Sequence, residues 1–220
     1  NVSADWRSGR VTQPGPPLRD YQVNALARAM PNLTNGTGGF YLYHGAGTGK
    51  TLTSIAIARI LRVQRMLVLA PVVALGVWRN EMRKWWVSAN MLTLRGDREV
   101  FRQGLVSDQA PLVVAVNYEQ ITGKPGAGRL KELLDWGPEL LVLDEAQNVK
   151  SPTARRTRAA WKLADVARYK LLLSGSPAHS PLDWWAQYRI IAPHNSMWAQ
   201  RYREYKEQVA VLGGPMQNWV

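Results

Sequence analysis

His44-Gly45-Ala46-Gly47-Thr48-Gly49-Lys50-Thr51 decides how this chain is read. It follows the apolar run Phe40-Tyr41-Leu42-Tyr43 and precedes Leu52-Thr53-Ser54-Ile55-Ala56-Ile57-Ala58. A strand, a glycine-rich loop and a helix in that order are the context of a phosphate-binding loop. Gly45, Gly47 and Gly49 let backbone N–H groups close around phosphate oxygens, with Ala46 and Thr48 between them. The helix start adds the positive end of its dipole. Lys50 is placed for the β- and γ-phosphates, and the Thr51 hydroxyl for Mg²⁺. The strict pattern wants glycine at position 44, where this chain has His44. A chance Gly-Lys-Thr after a strand is the competing reading, and it leaves the surrounding order unexplained.

Leu140-Leu141-Val142-Leu143 is an apolar run without alternation, as expected of a central strand buried on both faces. Asp144 and Glu145 stand at its exit. Two carboxylates there are costly unless a cation is near. A nucleotide-bound Mg²⁺ suits Asp144, and Glu145 would then orient and deprotonate the attacking water. The plainer alternative is that both acids open the next helix, where negative charge is favoured.

The chain has 220 residues, a net charge of +12 and no cysteine. That length suits one good-sized α/β domain or two small ones. Without cysteine there is neither a disulfide framework nor a thiolate metal site, a composition compatible with an intracellular protein. No apolar run is long enough to span a membrane. The excess of positive charge fits a nucleic-acid partner, and equally a device for solubility. The start, Asn1-Val2-Ser3-Ala4-Asp5, is not a signal peptide and lacks Met, so a piece of a longer protein is expected.

Residues 1–17, rich in proline and glycine, read as an irregular lead-in. A helix is expected over Leu18–Met30, stopped by Pro31, then a turn-rich loop over Asn32–Gly39. Met66–Ala70 and Leu112–Val116 read as strands. Leu75, Trp78, Met82 and Trp85 mark an amphipathic helix between them. Gly123–Gly128 reads as a loop, Ser151-Pro152 as the start of a helix, Tyr169–Leu173 as a strand, and Pro181 as the opening of a last helix. Alternating strands and helices predict an α/β fold: a mainly parallel sheet with helices on both faces. Ligands in such sheets sit at the carboxyl ends of the strands. The segments 44–51, 71, 117–119, 144–147 and 174–177 all follow predicted strands, so they are expected along one edge.

These blocks, in this order, resemble superfamily-two helicases and translocases, most closely the Swi/Snf-like branch that moves on double-stranded DNA. Leu18-Arg19-Asp20-Tyr21-Gln22 resembles the adenine-reading segment, which implies Gln22 as the adenine contact. The loop at 44–51 resembles motif I, whose first glycine that branch commonly lacks. Leu67–Pro71 with Trp78-Arg79-Asn80-Glu81 resembles motif Ia. Val114–Glu119 is similar to the next block, with Asn117 in place of the usual Thr. Asp144–Gln147 resembles the DEAH box with Gln147 for His. Ser174-Gly175-Ser176-Pro177 resembles motif III. The resemblance implies a RecA-like ATP-binding lobe over 18–193, with 194–220 leading toward a second lobe. That second lobe, implied to supply arginine fingers, is not expected within this chain.

The resemblance further implies Lys50, Asp144 and Glu145 as catalytic, and Thr51 and Asp144 at the metal. It places Gln147 with the nucleotide-binding set, coupling it to Ser174 and Ser176. Pro71, Asn117 and Tyr118 are hypothesised nucleic-acid contacts, to phosphate rather than bases. The ten tryptophans suit base stacking or plain packing, and packing is favoured. Arg155, Arg156 and Arg158 suit DNA phosphate or a solvated helix face. The function expected is the first motor lobe of a nucleic-acid-dependent ATPase using ATP and Mg²⁺. The alternatives are a non-catalytic nucleotide- and nucleic-acid-binding module and a P-loop kinase of small molecules.

Overall fold

The structure is a computed structural model and describes residues 17–93, 98–106, 111–122, 129–176, 181–193 and 202–212. Among these residues six strands form one sheet: β1 (Gly39–Tyr43), β2 (Arg65–Leu69), β3 (Asn90–Thr93), β4 (Leu112–Val116), β5 (Leu140–Asp144) and β6 (Tyr169–Ser174). Their order is β1-β6-β5-β2-β4-β3, and every pairing is parallel. The helices are α1 (Asp20–Thr34), α2 (Lys50–Ile60), α3 (Val72–Trp85), α4 (Arg98–Leu105), α5 (Leu130–Trp136), α6 (Arg155–Val166), α7 (Pro181–Ile191) and α8 (Tyr202–Leu212). A 3-10 turn, Ala146–Val149, follows β5.

The period-2 geometry of the strands divides their side chains between two cores. Met66, Val68, Val113, Ala115, Val142 and Leu171 pack against α1, α2 and α3 through Leu26, Ile55, Ile57, Trp78 and Met82. Leu67, Leu69, Val114, Leu141, Leu143 and Leu172 pack on the other face against Leu133, Leu163 and Ile190. Both faces are covered, so β2, β4, β5 and β6 carry apolar residues at nearly every position. The expected α/β, RecA-like architecture is the observed one.

Several local expectations change. Pro31 does not stop α1; the helix runs on to Thr34. The missing N–H costs one bond in the last turn only, while Leu33, 2% exposed, extends the buried stripe of Ala25, Leu26 and Ala29. Asn35 N–H then donates to Pro31 O at 2.9 Å and closes the helix. Ser151-Pro152 does not begin α6, whose N-cap is Ala154; residues 151–154 form a turn closed by Ala154 N–H to Ser151 O. Pro181 opens α7, but α8 follows it. Strand β3 escaped the sequence reading because it is four residues long and half-exposed at the sheet edge. The lead-in over 1–16, the 123–128 loop and Pro177 lie outside the described residues. No helix of the described residues is long and apolar enough to cross a membrane.

Candidate functional site

The strand order brings the candidate residues to one edge. Tyr43 ends β1 beside Ser174 of β6, and Asp144 ends β5 beside Leu173. His44 N–H donates to Ser174 O at 3.3 Å, so the glycine loop starts against β6. Pro71 follows β2 and Asn117 follows β4 at the same end of the sheet. The clustering predicted from strand order alone is observed.

Gly45, Ala46 and Gly47 are exposed and lead into α2, whose N-cap, Gly49, has φ +75°. That left-handed backbone is where glycine is favoured. Thr48 Oγ1 donates to Gly45 O at 2.8 Å. Lys50 Nζ donates to the His44 and Gly45 carbonyls, each at 3.0 Å, and so lies across the loop mouth. Thr51 opens α2 half-buried behind it. Burial and then the Lys50 charge hold the His44 imidazole below its ordinary value.

Gln22 is 3% exposed and committed within the chain. Its Nε2 donates to Thr48 O at 3.2 Å and Gly49 O at 3.3 Å, and its Oε1 accepts from Arg19 N–H at 2.9 Å. Tyr21 Oη donates to the same Thr48 carbonyl at 3.0 Å. The start of α1 is therefore a latch on the glycine loop. Among the described residues Gln22 Oε1 accepts only the Arg19 N–H and keeps a lone pair, so the adenine contact implied for Gln22 can be made there without breaking the Nε2 bonds to the loop.

Asp144 is 8% exposed. Its Oδ2 accepts from the Trp78 indole N–H at 2.9 Å and its Oδ1 from Glu145 N–H at 3.1 Å. Burial pushes its carboxyl above the ordinary value and the Glu145 charge adds to the rise; the two donors and Lys50 oppose it. A buried carboxylate of this kind suits a cation beside it. Among the described residues no cluster of three or more His, Cys, Asp or Glu forms a metal cage. That donor set fits Mg²⁺ on a triphosphate, which takes one or two carboxylates and completes its shell with phosphate and water.

Glu145 has φ +52°, unusual for a side-chain-bearing residue. Its carbonyl accepts from Asn148 N–H at 3.0 Å and Asn148 Nδ2 at 2.9 Å, which holds the bend. Neither acid begins an α-helix. From Glu145 a chain of hydrogen bonds runs across the edge. Gln147 Nε2 donates to Glu145 Oε2 at 2.7 Å, Ser174 Oγ donates to Gln147 Oε1 at 2.7 Å, and Ser176 N–H donates to Ser174 Oγ at 3.0 Å. Gln147 is thus bonded to Ser174, and through it connected to Ser176.

Tyr118 stands apart from its expectation. The ring is 2% exposed, and its hydroxyl donates to Asp144 O at 2.7 Å. Its side chain is turned inward under the β5 exit, where burial raises its pKa. Asn117 is half-buried, its Oδ1 accepting from Gln120 N–H and its own N–H donating to Gln120 Oε1, each at 2.9 Å. Pro71 is the N-cap of α3. Arg155, Arg156 and Arg158 are exposed on α6. A cavity of about 440 Å³ lies elsewhere, lined by Arg102, Leu105, Val106, Lys131, Glu132, Asp135 and Trp136, and includes none of these site residues. Sequence reasoning missed Trp78 and Tyr21 as partners of the site. Trp78 carried a signal only for packing, because its spacing on α3 reports a buried face and not the target of its N–H.

A parallel sheet with a glycine loop after one strand and paired acids after another is the architecture of a RecA-like lobe of superfamily-two helicase type. More particularly, the chain belongs to the SNF2-related domain family, which matches residues 21–210. The mouse SWI/SNF-related matrix-associated actin-dependent regulator of chromatin subfamily A member 1 is 29% identical over 188 residues, covering 81% of this chain and 17% of that protein. The ISWI chromatin-remodeling complex ATPase ISW2 of Saccharomyces cerevisiae is 28% identical over 200 residues, covering 87% of this chain and 17% of that protein. The chain thus spans about a sixth of the length of these relatives. The Sulfolobus solfataricus SWI2/SNF2 ATPase core in complex with dsDNA superposes with a TM-score of 0.72 at 23% identity, covering 87% of this chain and 38% of that one. That likeness shows the fold. The chain is therefore an ATPase-family domain of SNF2 type.

Proposed function

We propose that this chain is the first motor lobe of a nucleic-acid-dependent ATPase, a translocase on double-stranded DNA. The observation that carries the reading is the meeting of the glycine loop, Asp144–Glu145 and Ser174 at one sheet edge, the loop held to Ser174 by the His44 N–H and Glu145 linked to Ser174 through Gln147. Gly45 to Gly49 would wrap the phosphates, and Lys50, already at the loop mouth, would exchange its two carbonyl partners for phosphate oxygens. Thr51 and Asp144 would hold Mg²⁺, which when bound neutralises charge on the phosphates. Glu145 would orient the attacking water and take its proton. Its bond to Gln147 relates its position to Ser174 and Ser176. Gln22 would serve the adenine side while keeping the loop latched.

In this reading residues 18–193 form the ATP-binding lobe and 194–220 lead toward a second RecA-like lobe in a longer, intracellular protein. That lobe would supply arginine fingers, worth on the order of 10³–10⁵ in rate in related phosphoryl transfer. The isolated lobe should therefore hydrolyse ATP weakly. Pro71 and Asn117 remain the proposed backbone contacts to DNA; Tyr118 does not. The net charge of +12 supports a polyanionic track.

The test is ATP hydrolysis by the longest natural form of this chain, with duplex DNA, single-stranded DNA, RNA or none. Stimulation by duplex DNA that is lost in Lys50→Ala is the expected result. Equal rates with and without every nucleic acid would refute the translocase reading.

A further inference from the structure

Asp144 is held from two sides by aromatic residues of two other sequence blocks, 67–81 and 114–119. The Trp78 indole N–H donates to Oδ2 at 2.9 Å, and the ring is 0% exposed. The Tyr118 hydroxyl donates to the Asp144 backbone carbonyl at 2.7 Å. Trp78 lies on α3, the helix that Pro71 caps; Tyr118 adjoins Asn117. Each aromatic residue therefore belongs to a segment proposed to meet DNA, and each ends on the same acid.

We propose that Trp78 and Tyr118 are positioning residues that fix Asp144 for the nucleotide's Mg²⁺ and tie that carboxylate to the two DNA-facing segments. The proposal rests on the reading of Asp144 as a metal-holding residue. An indole N–H donates and cannot accept, so it has one way to meet a carboxylate and cannot trade orientations with it. It is also neutral. It orders Oδ2 without bringing a cation that would oppose Mg²⁺, as an Arg or Lys in that place would. The remaining lone pairs of both Asp144 oxygens stay available, since only one donor reaches each. Tyr118 acts one step back, anchoring the main chain at Asp144 just before the backbone turns left-handed at Glu145. Outer partners of this kind change metal affinity when removed.

The experiment is calorimetric binding of ATP to this chain, in excess Mg²⁺ and in chelator, for wild type, Trp78→Phe, Tyr118→Phe, Asp144→Asn and Trp78→Phe/Asp144→Asn. Tyr118→Phe removes only the hydroxyl. Trp78→Phe removes the indole N–H together with part of a fully buried ring, so its effect is read as the difference between Mg²⁺ and chelator and against the Asp144→Asn background, where loss of packing alone cancels. Trp78→Phe should weaken binding in Mg²⁺ by about 10-fold, the low end for loss of such a partner, and leave binding in chelator unchanged. Tyr118→Phe should show the same pattern with smaller size. The Trp78→Phe effect should vanish in the Asp144→Asn background. Equal weakening with and without Mg²⁺, no weakening in either variant, or an effect that persists in Asp144→Asn would each overturn the proposal and leave Trp78 a packing residue. A wild-type chain that binds ATP equally in Mg²⁺ and chelator would instead refute the metal reading of Asp144, and the proposal with it.

Discussion

The bond between Gln147 and Ser174 can be tested by a double-mutant cycle whose size follows from burial. Ser174 is 0% exposed, and its hydroxyl donates to Gln147 Oε1 while accepting from Ser176 N–H. Gln147→Ala removes the acceptor and strands a buried donor, a loss of about 1–3 kcal/mol. The Tyr41 hydroxyl lies beside Ser174 and offers it a second acceptor, which puts the expectation in the lower half, about 1–2 kcal/mol. Ser174→Ala leaves Gln147 Oε1 half-buried, where water can reach it, and costs about 0.5–1.5 kcal/mol. The double variant strands nothing further, so its loss should fall short of the sum by about 1 kcal/mol. The assay is urea unfolding of the four chains, read from denaturation midpoints at constant slope. Losses that add to within about 0.3 kcal/mol would refute the link, since contacting residues do not behave independently.

Three further outcomes are expected. Gly49→Ala should destabilise more than Gly47→Ala. Both sites have positive φ, costing about 1–2 kcal/mol for a side chain, but a Cβ at Gly49 would lie 2.6 Å from Gln22 Nε2, whereas one at Gly47 meets nothing within 4 Å; thermal midpoints give the order. Leu141→Ala in β5, 0% exposed, should cost about 2–5 kcal/mol in denaturant unfolding, against about 0.5 kcal/mol or less for exposed Val73→Ala. Lys170 is 5% exposed, and burial lowers its pKa below 10.5, with Asp165 opposing. The unfolded chain then binds that proton more tightly, so stability at neutral pH is reduced and returns as pH rises toward 10.5. Lys170→Met should be more stable at neutral pH and lack this part of the alkaline rise, checked by unfolding across that range.

The long central elements were legible because their signal is local. Leu112–Val116 and Leu140–Leu143 are apolar at every position, which only a doubly covered strand tolerates, and both are observed as strands. The ends of elements were less legible. Pro31 obeys a rule about lost hydrogen bonds, and the rule was outweighed by Leu33 reaching the core. Ser151-Pro152 carries capping chemistry that a four-residue turn uses instead.

The sequence by itself determined the fold class and the edge on which the candidate site lies. Glycine spacing, apolar runs and the order of strands and loops are properties of neighbours along the chain. Only the tertiary structure decided what each side chain meets there. Asn117 and Tyr118 are adjacent, yet one stays half-buried at a turn and the other points under β5 to Asp144. Trp78 and Asp144 are 66 residues apart and share a hydrogen bond because α3 packs over the end of the sheet. Periodicity says that a ring is buried; the direction of one N–H depends on the crossing of elements distant in sequence.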